Sequence, residues 1–127
     1  MQKAIERPLL YDGRKFDIRV WVLVTAHLEV LWSVIQVYYY KTGYIRTSSS
    51  AYTTDNHNCE VHLTNNSKQK HYETYSKFEE GNTLLLSELK GCIDRQGLNG
   101  QEKMEQIEEK MKGIIVDTVM CARVQRH

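Results

Sequence analysis

Lys15-Phe16-Asp17-Ile18-Arg19 places three charges at alternate positions of an otherwise apolar run. In an extended chain such residues share one face, with about two rises of 3.3 Å between neighbours. Charges half-buried on a sheet need partners. Two readings follow. Asp17 pairs with Arg19 or Lys15 as a structural ion pair at a sheet rim, or the cations form a charged floor for an anionic ligand, with Asp17 orienting one of them. Arg46-Thr47-Ser48-Ser49-Ser50 sets one arginine beside several hydroxyls. A guanidinium offers carboxylate or phosphate a bidentate fork, while the bland alternative is a polar loop. Thr64-Asn65-Asn66-Ser67 is a second polar cluster, read equally well as an Asx-type turn. Lys68, Lys70 and His71 make a modest basic patch of the kind that usually faces solvent.

Other chemistries find no support. The chain has no Walker-type loop, Gly-x-Gly-x-x-Gly, nucleophile elbow or His-Glu-x-x-His. Cys59-x-x-His62 is a lone pair, and zinc takes about four ligands. Cys59, Cys92 and Cys121 are odd in number and widely spaced, which fits a reducing compartment better than a disulfide framework.

The elements that must position these residues read as strands first, then helices. Pro8 restrains Arg7 toward extended geometry, and Tyr11-Asp12-Gly13 signals a turn. Residues 16–25 form the clearest strand, with Phe16, Ile18, Val20, Val22 and Val24 on one face. Both faces turn apolar toward its end, which predicts an interior strand. Residues 34–40 read as a second strand, Lys41-Thr42-Gly43 as a turn, and residues 44–47 as extended. Residues 48–58 read as a loop, 60–63 as a short strand, and 65–70 as irregular. Asn82 is placed to cap a helix starting near Thr83, with Leu85, Leu89 and Cys92 or Ile93 as its buried stripe. After the breaker Gly97-Leu98-Asn99-Gly100, a long helix is expected over 101–124. Its stripe is Met104, Ile107, Met111, Ile114 or Ile115, and Thr118, with Glu105, Glu108 and Glu109 outward.

At 127 residues the chain holds one domain. Its 41% hydrophobic and 26% charged content is ordinary for a globular protein. A net charge of +1 argues against a dedicated nucleic-acid binder. Met1 is followed by Lys3, Glu6 and Arg7, unlike a signal peptide. The apolar region from Trp21 to Tyr40 is interrupted by His27, Glu29, Ser33 and Gln36, unlike a membrane span. The expectation is a cytoplasmic protein without membrane or nucleic-acid partners.

The order of the segments carries more than any one of them. Gln2-Lys3-Ala4-Ile5-Glu6-Arg7-Pro8-Leu9-Leu10 is followed by Gly13-Arg14-Lys15-Phe16-Asp17-Ile18-Arg19-Val20-Trp21-Val22-Leu23-Val24. Next come Tyr44-Ile45-Arg46-Thr47-Ser48-Ser49 and Val61-His62-Leu63-Thr64-Asn65-Asn66, then Glu79-Glu80-Gly81-Asn82. This succession resembles the tubulin-tyrosine-ligase-like family, clearly over the first two thirds. The resemblance implies a partial ATP-grasp domain, α+β, mainly antiparallel sheet with two C-terminal helices. It implies ATP-dependent ligation of an amino acid (tyrosine, glutamate or glycine) to tubulin through an acyl-phosphate, with Arg46-Thr47-Ser48-Ser49 and Glu79-Glu80-Gly81-Asn82 leaning toward tyrosine. Partners would be tubulin or microtubules and a free amino acid, in the cytoplasm, at the microtubule cytoskeleton or cilium.

Carried onto this sequence, the resemblance makes Gln2, Lys3, Ala4 and Ile5 the hinge that receives adenine. Lys15 and Asp17 would contact the nucleotide, and Arg19 and Arg46 would hold the carboxylate or acyl-phosphate. Thr64 and Asn65 would line the nucleotide side, while Asn66 and Ser67 would approach the amino acid. Acyl-phosphate chemistry gathers negative charge, so fixed cations and magnesium matter more than a nucleophile. Three departures stand out. Ala4 replaces a common aromatic. Extra residues lie near 31–35. The stretch matched starts at the hinge and stops before the strands that bear the Mg2+ ligands, so those ligands are expected outside this chain. The chain alone is therefore expected to be inactive. The alternative is a non-catalytic relative that binds tubulin structurally, and a third is an unrelated α+β binding domain without pairing between residues 16–25 and 34–40.

Overall fold

The computed structural model describes residues 5–28, 33–55 and 57–124. Gln2, Lys3 and Ala4 lie outside these residues. Strands come first: β1 (Leu10–Tyr11), β2 (Arg14–Arg19), β3 (Val22–Leu28), β4 (Ser33–Tyr39) and β5 (Tyr44–Ala51). Short helices α1 (Cys59–His62) and α2 (Asn66–Gln69) follow. A 3-10 turn at Glu80–Asn82 leads into β6 (Thr83–Leu85), α3 (Leu86–Arg95) and α4 (Gly100–Val124). The class is α+β, with an antiparallel sheet and two C-terminal helices, as expected of part of an ATP-grasp domain.

The main sheet runs β1-β2-β5-β6 and every pairing is antiparallel. Alternation along β2 sends Phe16 and Ile18 to one face, where they pack with Ile45, Leu84 and the α3 side chains Leu86, Leu89, Cys92 and Ile93. Ile45, Leu89, Cys92 and Ile93 are fully buried. Helix α4 adds Met104, Ile107 and Met111 to this cluster. Asn99 caps α4, its Oδ1 accepting the Glu102 N–H at 3.2 Å. Lys15, Asp17 and Arg19 occupy the opposite face of β2.

Several local expectations are corrected. Residues 16–25 do not make one interior strand. The chain leaves the main sheet at Val20, and β3 pairs only with β4 in a separate two-stranded ribbon. Gly43 crosses this exit so closely that a Cβ there would lie 2.8 Å from the Arg19 carbonyl oxygen. Trp21 seats the ribbon against Tyr44, with ring centroids 5.4 Å apart. Leu23 is 61% and Tyr38 53% exposed, so the ribbon is not interior. The pairing of β3 with β4 nonetheless joins the two segments whose lack of contact would have favoured an unrelated fold.

Residues 48–51 continue β5 rather than forming a loop, and Thr47, Ser48 and Ser49 are buried. Residues 59–62 and 66–69 are helical turns, not strand and coil. Asn82 caps no helix. It sits buried in left-handed geometry at φ 51° after Gly81 at φ 61°. Leu85 is exposed because it closes β6. The α4 stripe reaches Met111, after which Ile114 is 65% exposed and Thr118 also faces out. Among the described residues no helix is long and apolar enough to cross a membrane.

Candidate functional site

Asp17 and Arg46 are direct partners in the β2–β5 ladder. Arg46 donates from Nε to Asp17 Oδ1 at 3.1 Å and from Nη2 to Oδ2 at 2.8 Å. Arg19, two residues along β2, donates from Nε to the same Oδ2 at 3.0 Å. One carboxylate therefore holds two guanidiniums. Each guanidinium has five N–H donors, and within the described residues Arg19 spends one and Arg46 two. The ion pair of the first sequence reading is present, with Arg46 as well as Arg19 as partner. One carboxylate and two guanidiniums leave net positive charge on this face of the sheet, with Arg46 15% and Arg19 49% exposed at the side chain.

Lys15 stands on the same strand face but serves a different space. It lines a cavity of about 610 Å³ with Ile5, Glu6, Tyr52, Thr54, His57, His62 and Leu63. Arg19 and Arg46 are not among its lining residues. The Tyr52 and His62 rings meet edge to face at 5.5 Å, and the Tyr52 hydroxyl donates to the Glu6 carbonyl at 2.7 Å. That bond ties the segment entering β1 to the end of β5 and closes one wall.

The polar cluster at 64–67 continues directly from this wall. Thr64 is half-buried and Asn65, Asn66 and Ser67 are exposed. Asn65 is the residue before α2, and its carbonyl accepts the Lys68 and Gln69 N–H groups at 2.9 Å. Asn66 Oδ1 accepts the Tyr75 hydroxyl at 2.6 Å. Lys68, Lys70 and His71 face out.

Some residues that build this region had no role assigned from the sequence. Arg14, 4% exposed, forms a bidentate pair with Glu79 at 2.7 and 2.8 Å, and also donates to the Thr47 hydroxyl at 3.2 Å. The Phe78 ring lies 4.4 Å from its guanidinium carbon. Thr47 also bonds Glu79. Glu60 accepts the Ser50 hydroxyl at 2.6 Å and the Thr74 hydroxyl, and these bonds hold its carboxyl below the usual carboxylate range. In each case the partner lies 10 to 65 residues away, so spacing alone offered no signal.

The described residues contain no group of three or more His, Cys, Asp or Glu able to hold a metal ion. Glu108 is paired with Lys112 at 2.8 Å along α4.

The antiparallel α+β layout, helix-covered on one face and carrying cations on the other, is that of part of an ATP-grasp domain. The chain belongs to the tubulin-tyrosine ligase family, whose pattern it matches over residues 1–127. Tubulin monoglycylase TTLL3 of Danio rerio is 47% identical over 73 residues, covering 58% of this chain and 9% of that protein. Tubulin glycylase 3E of Tetrahymena thermophila is 31% identical over 132 aligned positions, covering 96% of this chain and 9% of that protein. Protein monoglycylase TTLL8 of Homo sapiens is 40% identical over 86 residues, covering 68% and 9%. The chain thus spans about a tenth of the length of these relatives.

Proposed function

We propose that this chain supplies the central nucleotide and acyl-group surface of an ATP-dependent ligase that adds an amino acid to tubulin. The observation that carries this reading is the Asp17 clamp, which fixes Arg46 and Arg19 on the sheet face that also bears Lys15. The cavity volume lies in the range of small-molecule sites, and Lys15 gives it a fixed cation. Ile5, Lys15, Thr64 and Asn65 are the residues assigned to ATP, with Gln2, Lys3 and Ala4 as the rest of the hinge. Asp17 acts toward the nucleotide through the arginines that it aligns.

Bound ATP supplies the phosphoryl group that activates a tubulin carboxylate. Arg46 and Arg19 hold that carboxylate, and their unspent N–H donors neutralise charge as it gathers. Asn66 and Ser67 receive the incoming amino acid. Glycine is the amino acid we assign, because relatives with 31–47% identity are named glycylases. This departs from the lean toward tyrosine in the motifs. Magnesium, which would neutralise phosphate charge when bound, is assigned to residues beyond those described.

The test is transfer of labelled glycine to tubulin by the full-length protein that contains this chain. Transfer that requires ATP and is lost in Arg46→Ala supports the reading. Absence of glycine transfer, or transfer indifferent to Arg46, refutes it.

A further inference from the structure

Strand β5 outruns its outer neighbour. β6 pairs with Tyr44, Ile45 and Arg46 and then ends, whereas β5 continues to Ala51. Thr47, Ser48 and Ser49 are at most 1% exposed, and buried backbone groups on such an edge need partners. Two side-chain amides take the place of the missing strand. Asn82 Nδ2 donates to the Thr47 carbonyl at 3.3 Å and to Ser49 Oγ at 2.8 Å. Gln69 Oε1 accepts the Ser49 N–H at 2.8 Å.

Gln69 does more than cover the edge. It is fully buried, and its Nε2 donates to the Glu60 carbonyl at 3.2 Å and to the Leu63 carbonyl. Both amide donors are thereby spent. One side chain thus joins the strand that carries Arg46 to the residue that precedes Thr64. His62 and Leu63, in that same turn, line the cavity with Lys15.

We infer that Gln69 is a positioning residue, which fixes the Thr64-Asn65 turn against β5 and so sets the geometry of the cavity relative to the arginines. The inference rests on the nucleotide reading given above. The side-chain type matters. A glutamate there keeps an acceptor for the Ser49 N–H but sets oxygen against two carbonyls, and a methionine leaves all three backbone groups unpaired.

The experiment combines amide hydrogen exchange by NMR with calorimetric titration of ATP into the intact chain. It compares wild type, Gln69→Glu, Gln69→Met and the core control Ile93→Val. In both Gln69 variants the Leu63, Lys68 and Lys70 amides should exchange at least about tenfold faster, while those of Ile18 and Ile45 keep their rates. ATP affinity should fall about tenfold in the same variants. Ile93→Val should lower the melting temperature without changing affinity. Unchanged exchange at Leu63, Lys68 and Lys70, uniform acceleration across the sheet, or an equal affinity loss in Ile93→Val would overturn the inference. A wild-type chain that does not bind ATP refutes the nucleotide reading instead, and the exchange rates still decide the role of Gln69.

Discussion

Asp17 faces Arg46 across the β2–β5 ladder and grips its guanidinium through both carboxylate oxygens, while Arg19 shares one of them. Removing the carboxylate frees two cations at once. Asp17→Ala is expected to cost roughly 1–2 kcal/mol, the value for hydrogen bonds to charged groups discounted for partial exposure. Urea denaturation of wild type and variant checks this, and a change within error would mean that the clamp contributes nothing to stability.

Arg14 and Glu79 are a different case, because both side chains are less than a tenth exposed. Breaking such a pair strands a buried charge. Glu79→Ala is expected to destabilise by about 3–5 kcal/mol, and the double variant Arg14→Met/Glu79→Met by less than either single methionine change. A double-mutant cycle in guanidinium chloride measures this. Additive losses would show that the two residues do not act as a pair.

Glu60 links stability to pH. Hydrogen bonds from Ser50 and Thr74 depress its folded pKa. Its contribution is therefore fully present above the ordinary glutamate pKa and is lost as pH falls from there through the lower folded value. Glu60→Gln should be less stable than wild type at neutral pH, with the difference shrinking below about pH 4. Melting curves across that range test the sign, and a gap that widens in acid contradicts it.

The two ends of the α3–α4 apolar surface should respond unequally. Leu89 is fully buried and Ile114 is 65% exposed. Leu89→Ala is expected to cost about 2–5 kcal/mol, and Ile114→Ala to stay within about 0.5 kcal/mol. Denaturation midpoints separate the two.

What the sequence disclosed follows from the range of the interactions. Alternation in β2 and the stripe through Met104, Ile107 and Met111 are local, and both were legible. The face shared by Lys15, Asp17 and Arg19 was legible for the same reason. The break at Val20 was not, because it depends on Gly43, more than twenty residues on. Ser48, Ser49 and Asn82 look like loop residues. They are buried strand and turn residues whose partners come from distant segments: Gln69 and Asn82 bond Ser49, and Arg14 donates to the Ser48 carbonyl. The family resemblance rested on the order of motifs, and the match over residues 1–127 agrees with it.

In the proposed role, cations on one sheet face serve a phosphate-bearing ligand. Calorimetric titration of ATP into the intact chain and into Lys15→Ala tests it most directly. Saturable binding that weakens at least about tenfold in Lys15→Ala is expected. Equal affinity in both proteins, or none in either, would contradict it.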